Sequence, residues 1–153
     1  MAKWVALHLS DGEVDGRRIL SKGSLDFLHL PQVFIGPRNS KGSPYLLYAP
    51  GWFAEVYHGH RMLQHGGNID GFSALVGFLP DDDLGLVILT TKNGTPLPAA
   101  LMQTAYDRIL DLEKTDWVAA IRPQGDGEDE EKDAEESERV AGTTPSHPLA
   151  DFA

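Results

Sequence analysis

The sequence predicts an α+β domain in which an antiparallel sheet of consecutive hairpins is covered by helices. Three observations carry that reading. Between residues 51 and 91 apolar side chains recur at every second position, broken by short Gly- and Asp-rich stretches. Residues 1–9 and 96–112 instead repeat near the helical period. The chain is 41% hydrophobic and 24% charged, a globular balance that leaves enough apolar surface for one core.

The elements follow in order. Met1 to Leu9 reads as a helix with Met1, Trp4, Val5 and His8 on one side. It is amphipathic from its first residue with no capping side chain ahead, which suggests a helix that begins further upstream. Asp11-Gly12 and Asp15-Gly16 mark a tight polar turn, and Ser21 or Ser24 can cap a short helix ending before Pro31. Residues 36–50, with Gly36-Pro37, Gly42-Ser43-Pro44 and Ala49-Pro50, read as a loop.

Strands are expected at about 51–57 and 61–65, joined through His58-Gly59-His60. A third strand, 72–79, aligns Phe72, Ala74, Val76 and Phe78 on one face. Pro80 to Asp83 form a turn, and 84–91 is a fourth strand whose apolar run predicts cover on both faces. After Asn93-Gly94 a helix runs from about Pro96 to Leu112, with an apolar stripe of Leu97, Leu101, Ala105, Ile109 and Leu112 beside Met102 and Tyr106.

Charge sets the domain organisation. The chain has 23 acidic against 13 basic residues, a net charge of −10. That balance argues against nucleic acid or an anionic membrane as partner, since neutralising phosphates takes a Lys/Arg surplus. Residues 122–141 hold nine acids against Arg122, Lys132 and Arg139, with no aromatic residue. They are expected to be an acidic, disordered linker, because too little apolar surface is available to offset ordering entropy. Residues 1–121 carry 13 acids and 10 bases and form the domain, while 142–153 are expected to open a following domain. No apolar run reaches the roughly 18 residues of a membrane span, and no basic-then-apolar leader precedes the first helix. With no cysteine there is no disulfide, thiol nucleophile or thiolate metal site, and no cofactor is expected.

Chemistry is concentrated in Gln64-His65-Gly66-Gly67-Asn68-Ile69-Asp70-Gly71-Phe72-Ser73. A histidine at a strand end, followed by glycines, lets a substrate approach backbone that side chains would otherwise block. The same residues also suit a Gly-rich strand connection with an incidental histidine. Other motifs are weaker. Gly71-Phe72-Ser73 starts like a nucleophile elbow, but Leu75 stands where the second glycine belongs and the context is strand. His58, His60 and His65, with Glu55 or Asp70, would be needed for a small metal-dependent hydrolase, yet 58 and 60 straddle a hairpin turn. Asp81 to Asp83 lack the ligand spacing of a calcium loop.

The order Gly51-Trp52, His65-Gly66-Gly67, Asp70-Gly71-Phe72-Ser73, Leu79-Pro80, Leu84-Gly85-Leu86-Val87-Ile88-Leu89-Thr90 and Asn93 resembles the C-terminal part of the serine β-lactamase-like family. That family includes class C β-lactamases, D-alanyl-D-alanine carboxypeptidases and related esterases. The segment from Trp4 to Gln32 resembles the family's helices before the active-site strand, and Pro145 to Phe152 the opening of a small β-rich domain found in some members.

The resemblance implies that His65-Gly66-Gly67 is the third active-site motif, Lys-Thr-Gly or His-x-Gly across the family. His65 would tune proton transfer, Gly67 would leave room for the acyl group, and the Asn68 backbone N–H would be an oxyanion donor. Loss of such a donor typically costs about 2.7–4 kcal/mol of barrier. Trp52, Gly71 and Phe72 would contact substrate, a small-molecule or peptide acyl compound. Histidine in place of lysine favours peptidase or esterase chemistry over β-lactam hydrolysis. Relatives commonly act outside the cytoplasm, which implies a periplasmic or secreted parent.

The same resemblance exposes a gap. No serine is followed three residues later by lysine, and no tyrosine two residues later by Asn or Ser, so Ser-x-x-Lys and Tyr-x-Asn are both absent. Without an activated nucleophile no acyl-enzyme forms. The sequence therefore reads as a C-terminal portion of a serine hydrolase, truncated at both ends and inactive by itself. Strand 84–91 would then carry an unpaired edge that invites self-association. The alternatives are a stand-alone, non-catalytic binding module and a small hydrolase with a histidine-bound metal.

Overall fold

The computed structural model describes residues 1–40 and 43–121. Helix α1 (Ala2–Leu9) leads into a small ribbon, β1 (Glu13–Val14) and β2 (Arg17–Arg18), and then helix α2 (Lys22–His29). Ser21 caps α2 by accepting the Ser24 amide, as its sequence position suggested. Six strands follow: β3 (Val33–Ser40), β4 (Ser43–Ala49), β5 (Trp52–Tyr57), β6 (His60–Ile69), β7 (Phe72–Leu79) and β8 (Leu84–Thr90). Helices α3 (Leu97–Ile109) and α4 (Trp117–Ile121) complete the unit. The strands form one antiparallel meander in chain order, so β3 and β8 are its edges. This is the expected α+β architecture. Residues 122–153, which carry the linker and following-domain expectations, lie outside the described residues.

Turn chemistry sets the register. His58 and Gly59 both take positive φ (48° and 93°), as a two-residue turn matching strand twist requires. Such a turn bonds its first carbonyl to its fourth amide, which makes Tyr57↔His60 a hydrogen-bonded pair. Pairs alternate thereafter between bonded and non-bonded. Counting from Tyr57↔His60, and independently from Ile69↔Phe72, gives the same answer. Even-numbered residues of β6 bond toward β5 and odd-numbered ones toward β7. Carried across β7, the alternation leaves Gly85, Val87 and Leu89 with backbone groups pointing away from the sheet.

Each face has its own core. Val5 of α1 packs with Ala49, Trp52, Ala54, Leu63 and Phe78 in one core. Met102 and Tyr106 of α3 pack with Tyr57, Met62 and Leu79 in the other core. A glycine admits each helix: a Cβ at Gly85 would sit 2.2 Å from Val5 Cγ1, and one at Gly77 would sit 2.7 Å from Met102 Sδ.

Several expectations are corrected. Residues 36–40 and 43–49, expected as loop, are strand, in β3 and β4. Proline misled the reading: Pro37 lies on an edge strand, where a missing N–H costs no ladder bond, and the register shifts around Gly36 and Pro37. Strand β6 runs four residues past His65, so the whole His-Gly-Gly motif is strand. The stripe on α3 is rotated: Met102, Tyr106 and Asp107 are buried, while Leu97, Leu101 and Ile109 are exposed. On α1, Val5, Leu7 and His8 are buried, and Met1 and Trp4 face out. Strand β8 has the cover expected on both faces up to Ile88, with Leu89 left 71% exposed.

Candidate active site

The second half of β6 borders only one neighbour. Its ladder to β5 stops at Phe53↔Gln64, whereas its ladder to β7 continues through His65↔Val76, Gly66↔Leu75, Gly67↔Ala74 and Asn68↔Ser73. Gly66 and Asn68, being even-numbered, direct N–H and C=O to the side β5 has vacated. The result is a short stretch of sheet edge with free donors. A Cβ at Gly67 would meet nothing within 4 Å, and one at Gly66 would touch Ala74 O and Leu75 Cδ1 at 3.4 Å. Gly67 is thus open space rather than tight packing.

His65 is half-buried at the start of this edge. Its ring stacks on Phe53 (5.5 Å, 25°) and meets Tyr48 edge-on at 6.2 Å. Nearby, the buried Glu55 carboxylate accepts from Arg38 Nε at 3.1 Å and Gln64 Nε2 at 3.3 Å. A cavity of about 370 Å³ lies at the far end, lined by Gly67, Asn68, Ile69, Phe72, Ser73, Ala74, Leu89 and Thr90. Its walls are mainly apolar, suited to an acyl or hydrocarbon group.

Other sequence candidates fall as follows. Gly71 takes φ 81° in the β6–β7 turn, and Phe72 is 55% exposed on the cavity wall. Trp52 is enclosed in the core, its ring edge-on to His8 at 5.0 Å and Phe78 at 4.8 Å. Ser73 is buried, its Oγ 2.6 Å from Asn68 Oδ1 and 2.8 Å from the Lys92 carbonyl, and among the described residues no basic side chain bonds to it. His58, His60 and His65 do not converge. His60 is held by Asp82 at 2.9 Å, and His65 lies five strand residues further on, roughly 16 Å at the usual rise. Among the described residues no three His, Asp or Glu side chains are grouped to hold a metal ion.

Two buried clusters had no signal in the sequence. His8 Nδ1 and His29 Nε2 are 2.7 Å apart between α1 and α2, packed against Trp4, Trp52 and Phe78. Burial, with the repulsion of a charged His29, lowers the His8 pKa to about 4. Burial and then Arg61 lower that of His29. On the opposite face Tyr57 Oη donates to Asp107 Oδ1, and Trp117 Nε1 donates to Asp107 Oδ2 at 2.5 Å. Burial, and next the hydrogen bond to Asp107, raise the Tyr57 pKa. These partners are 21, 50 and 10 residues apart in sequence, so no local pattern announces them.

The fold is thus a helix-covered antiparallel sheet with the His-Gly-Gly strand at an open edge. The model of the family described as Beta-lactamase matches residues 1–110, and the chain belongs to that family of β-lactamase-related serine hydrolases. Among solved structures it is similar to the octameric penicillin-binding protein homologue from Pyrococcus abyssi. The match covers 73% of this chain and 24% of that one, at 18% identity and a TM-score of 0.60, which is a likeness of fold. The chain therefore spans about a quarter of that homologue's length. No curated protein matches it. Among the described residues no helix is long and apolar enough to cross a membrane.

Proposed function

We propose that residues 1–121 supply the third-motif strand of a peptidase- or esterase-type serine hydrolase, and that the nucleophile and its base come from a segment this sequence does not contain. The observation that carries the reading is the free edge at 65–69. There, Asn68 N–H points away from β7 beside an open Gly67 and an apolar cavity. An acyl carbonyl placed along that edge would put its oxygen against the Asn68 amide. That amide stabilises charge developing on the oxygen without having to reorganise. His65, held by Phe53 and Tyr48, would stand next to the leaving group as a proton relay. The chain alone lacks Ser-x-x-Lys and Tyr-x-Asn, and the buried Ser73, bonded to no basic side chain among the described residues, is no substitute.

Two readouts test this. The purified chain should take no label from a fluorophosphonate or a fluorescent penicillin. The DNA upstream of the Met1 codon should hold an open frame encoding Ser-x-x-Lys and then Tyr-x-Asn. Acylation of a serine in this chain would overturn the need for an outside nucleophile. A stop codon close upstream would turn the reading into a binding module.

A further inference from the structure

Where α1 and α2 cover the sheet, two buried histidines take no part in the proposed chemistry. His8 and His29 are 2% and 7% exposed, so this chain's own residues enclose them without help from any further segment. Their rings stack, with His8 Nδ1 2.7 Å from His29 Nε2. Trp4, Trp52 and Phe78 close around His8 at ring distances of 4.7, 5.0 and 5.1 Å, and His8 Nε2 is buried with no partner.

Two neutral imidazoles carry two ring protons. One lies in the bond between His8 Nδ1 and His29 Nε2. The other belongs on His29 Nδ1, because on His8 Nε2 it would be a buried N–H without an acceptor. A third proton can go only to His8 Nε2, or into the shared contact, where it breaks the bond. A fourth sets two N–H groups against each other at 2.7 Å. Each added proton therefore works against the contact that joins the two helices. Surrounding charges do not offset this. Asp26 and Asp11 favour a cation on His29, but Arg61 and Lys22 oppose one, while His8 faces His29 and three aromatic rings. The ion pairs on the outer side, Lys3–Asp15, Arg18–Glu13 and Lys22 with Asp11 and Asp26, are well exposed and hold the helices weakly.

We propose that the His8–His29 pair is an acid-operated latch: when it takes up protons, α1 and α2 lift from the sheet and uncover Trp52, Leu63 and Phe78, while α3 stays packed on the opposite face. Helix α3 is held instead through Asp107, both of whose oxygens are bonded. Val76, the ladder partner of His65, packs on the latched core. Opening thus loosens the strand pair that carries the His-Gly-Gly motif, a consequence that rests on the function proposed above, whereas the latch itself does not.

Hydrogen exchange of the full chain at pH 7.5 and 5.5, read by mass spectrometry and corrected for the intrinsic pH dependence, tests the latch. His8 titrates at about 4 when latched and at its ordinary 6.5 when free, so protection of α1 and α2 should fall about tenfold over that interval, and that of α3 much less. His29 adds to the fall. His8→Phe combined with His29→Leu should abolish it. Unchanged protection on α1 and α2, an equal loss on α3, or a fall that survives in the double variant overturns the proposal. If that variant does not fold, NMR titration of the two imidazoles decides. Rings that charge as α1 and α2 lose protection support the latch, and rings that charge while the helices stay protected overturn it.

Discussion

On the α1–α2 face the buried polar groups are two imidazoles 2.7 Å apart among aromatic rings, and one nitrogen, His8 Nε2, has no partner. On the α3–α4 face a carboxylate meets two donors, with both oxygens of Asp107 satisfied, while the Tyr106 hydroxyl and Gln103 Oε1 are buried beside them without a partner. The first arrangement holds only while both rings are neutral. His8 can donate from Nδ1 and leave Nε2 a bare lone pair, but a second proton would bury an N–H with nothing to accept it. The second arrangement depends instead on every partner being present, since losing one strands the others. One face is thus sensitive to protons and the other to deletion.

Deletion should give the largest effect. Asp107→Ala leaves the Tyr57 hydroxyl and Trp117 Nε1 without their acceptor and, at about 1–3 kcal/mol for each stranded donor, should give the largest drop in urea midpoint. Asp107→Asn keeps an acceptor for one donor and should cost less. Equal losses for the two variants would mean that volume, not bonding, holds α3 and α4 in place.

Protons should come next. His8 titrates near 4 when folded and near 6.5 when unfolded, so between those values the unfolded chain binds more protons. Stability is full above about pH 6.5 and falls as pH drops toward 4, by about 3 kcal/mol from His8 at the limit. His29, lowered in the same direction, adds to the fall. Urea midpoints at pH 7, 5.5 and 4 should show the slope, and the double variant His8→Phe, His29→Leu should flatten it. An undiminished slope would place the sensitivity elsewhere.

The glycine under each helix sharpens the contrast. Gly85→Ala drives a methyl into the stiff, β-branched Val5, and Gly77→Ala drives one into Met102, whose unbranched chain can swing aside. Both should destabilise by about 1–3 kcal/mol, Gly85→Ala more. Thermal melts of the two variants would order them.

These faces also show what a sequence displays. Strand 72–79 was legible because its apolar alternation matches a sheet side, and α3 because its period is long and regular. The buried side of α3 was not, since Gly77 and the partners of Asp107, Tyr57 and Trp117, choose it, and all three lie outside the helix. Strands β3 and β4 hid behind Pro37 and Pro44, residues that break central strands but are tolerated at edges and strand starts. At the site, His65, Gly66 and Gly67 stood out as a motif. The outward amide of Asn68 did not, because it follows from counting ladder pairs inward from two turns.

His65 marks the small end of the scale. Its neighbours are ring contacts with Phe53 and Tyr48 rather than an enclosed core, and the edge beside it is open. Aromatic contacts of this kind contribute about 0.5–1.5 kcal/mol, and truncation to alanine leaves a space that water can enter. His65→Ala should therefore lower stability by less than about 1 kcal/mol, well under the losses on either face. A larger loss would make His65 a packing residue and weaken its proposed role as a proton relay. A near-neutral result would mean that the ring is held at the free edge for something other than the fold.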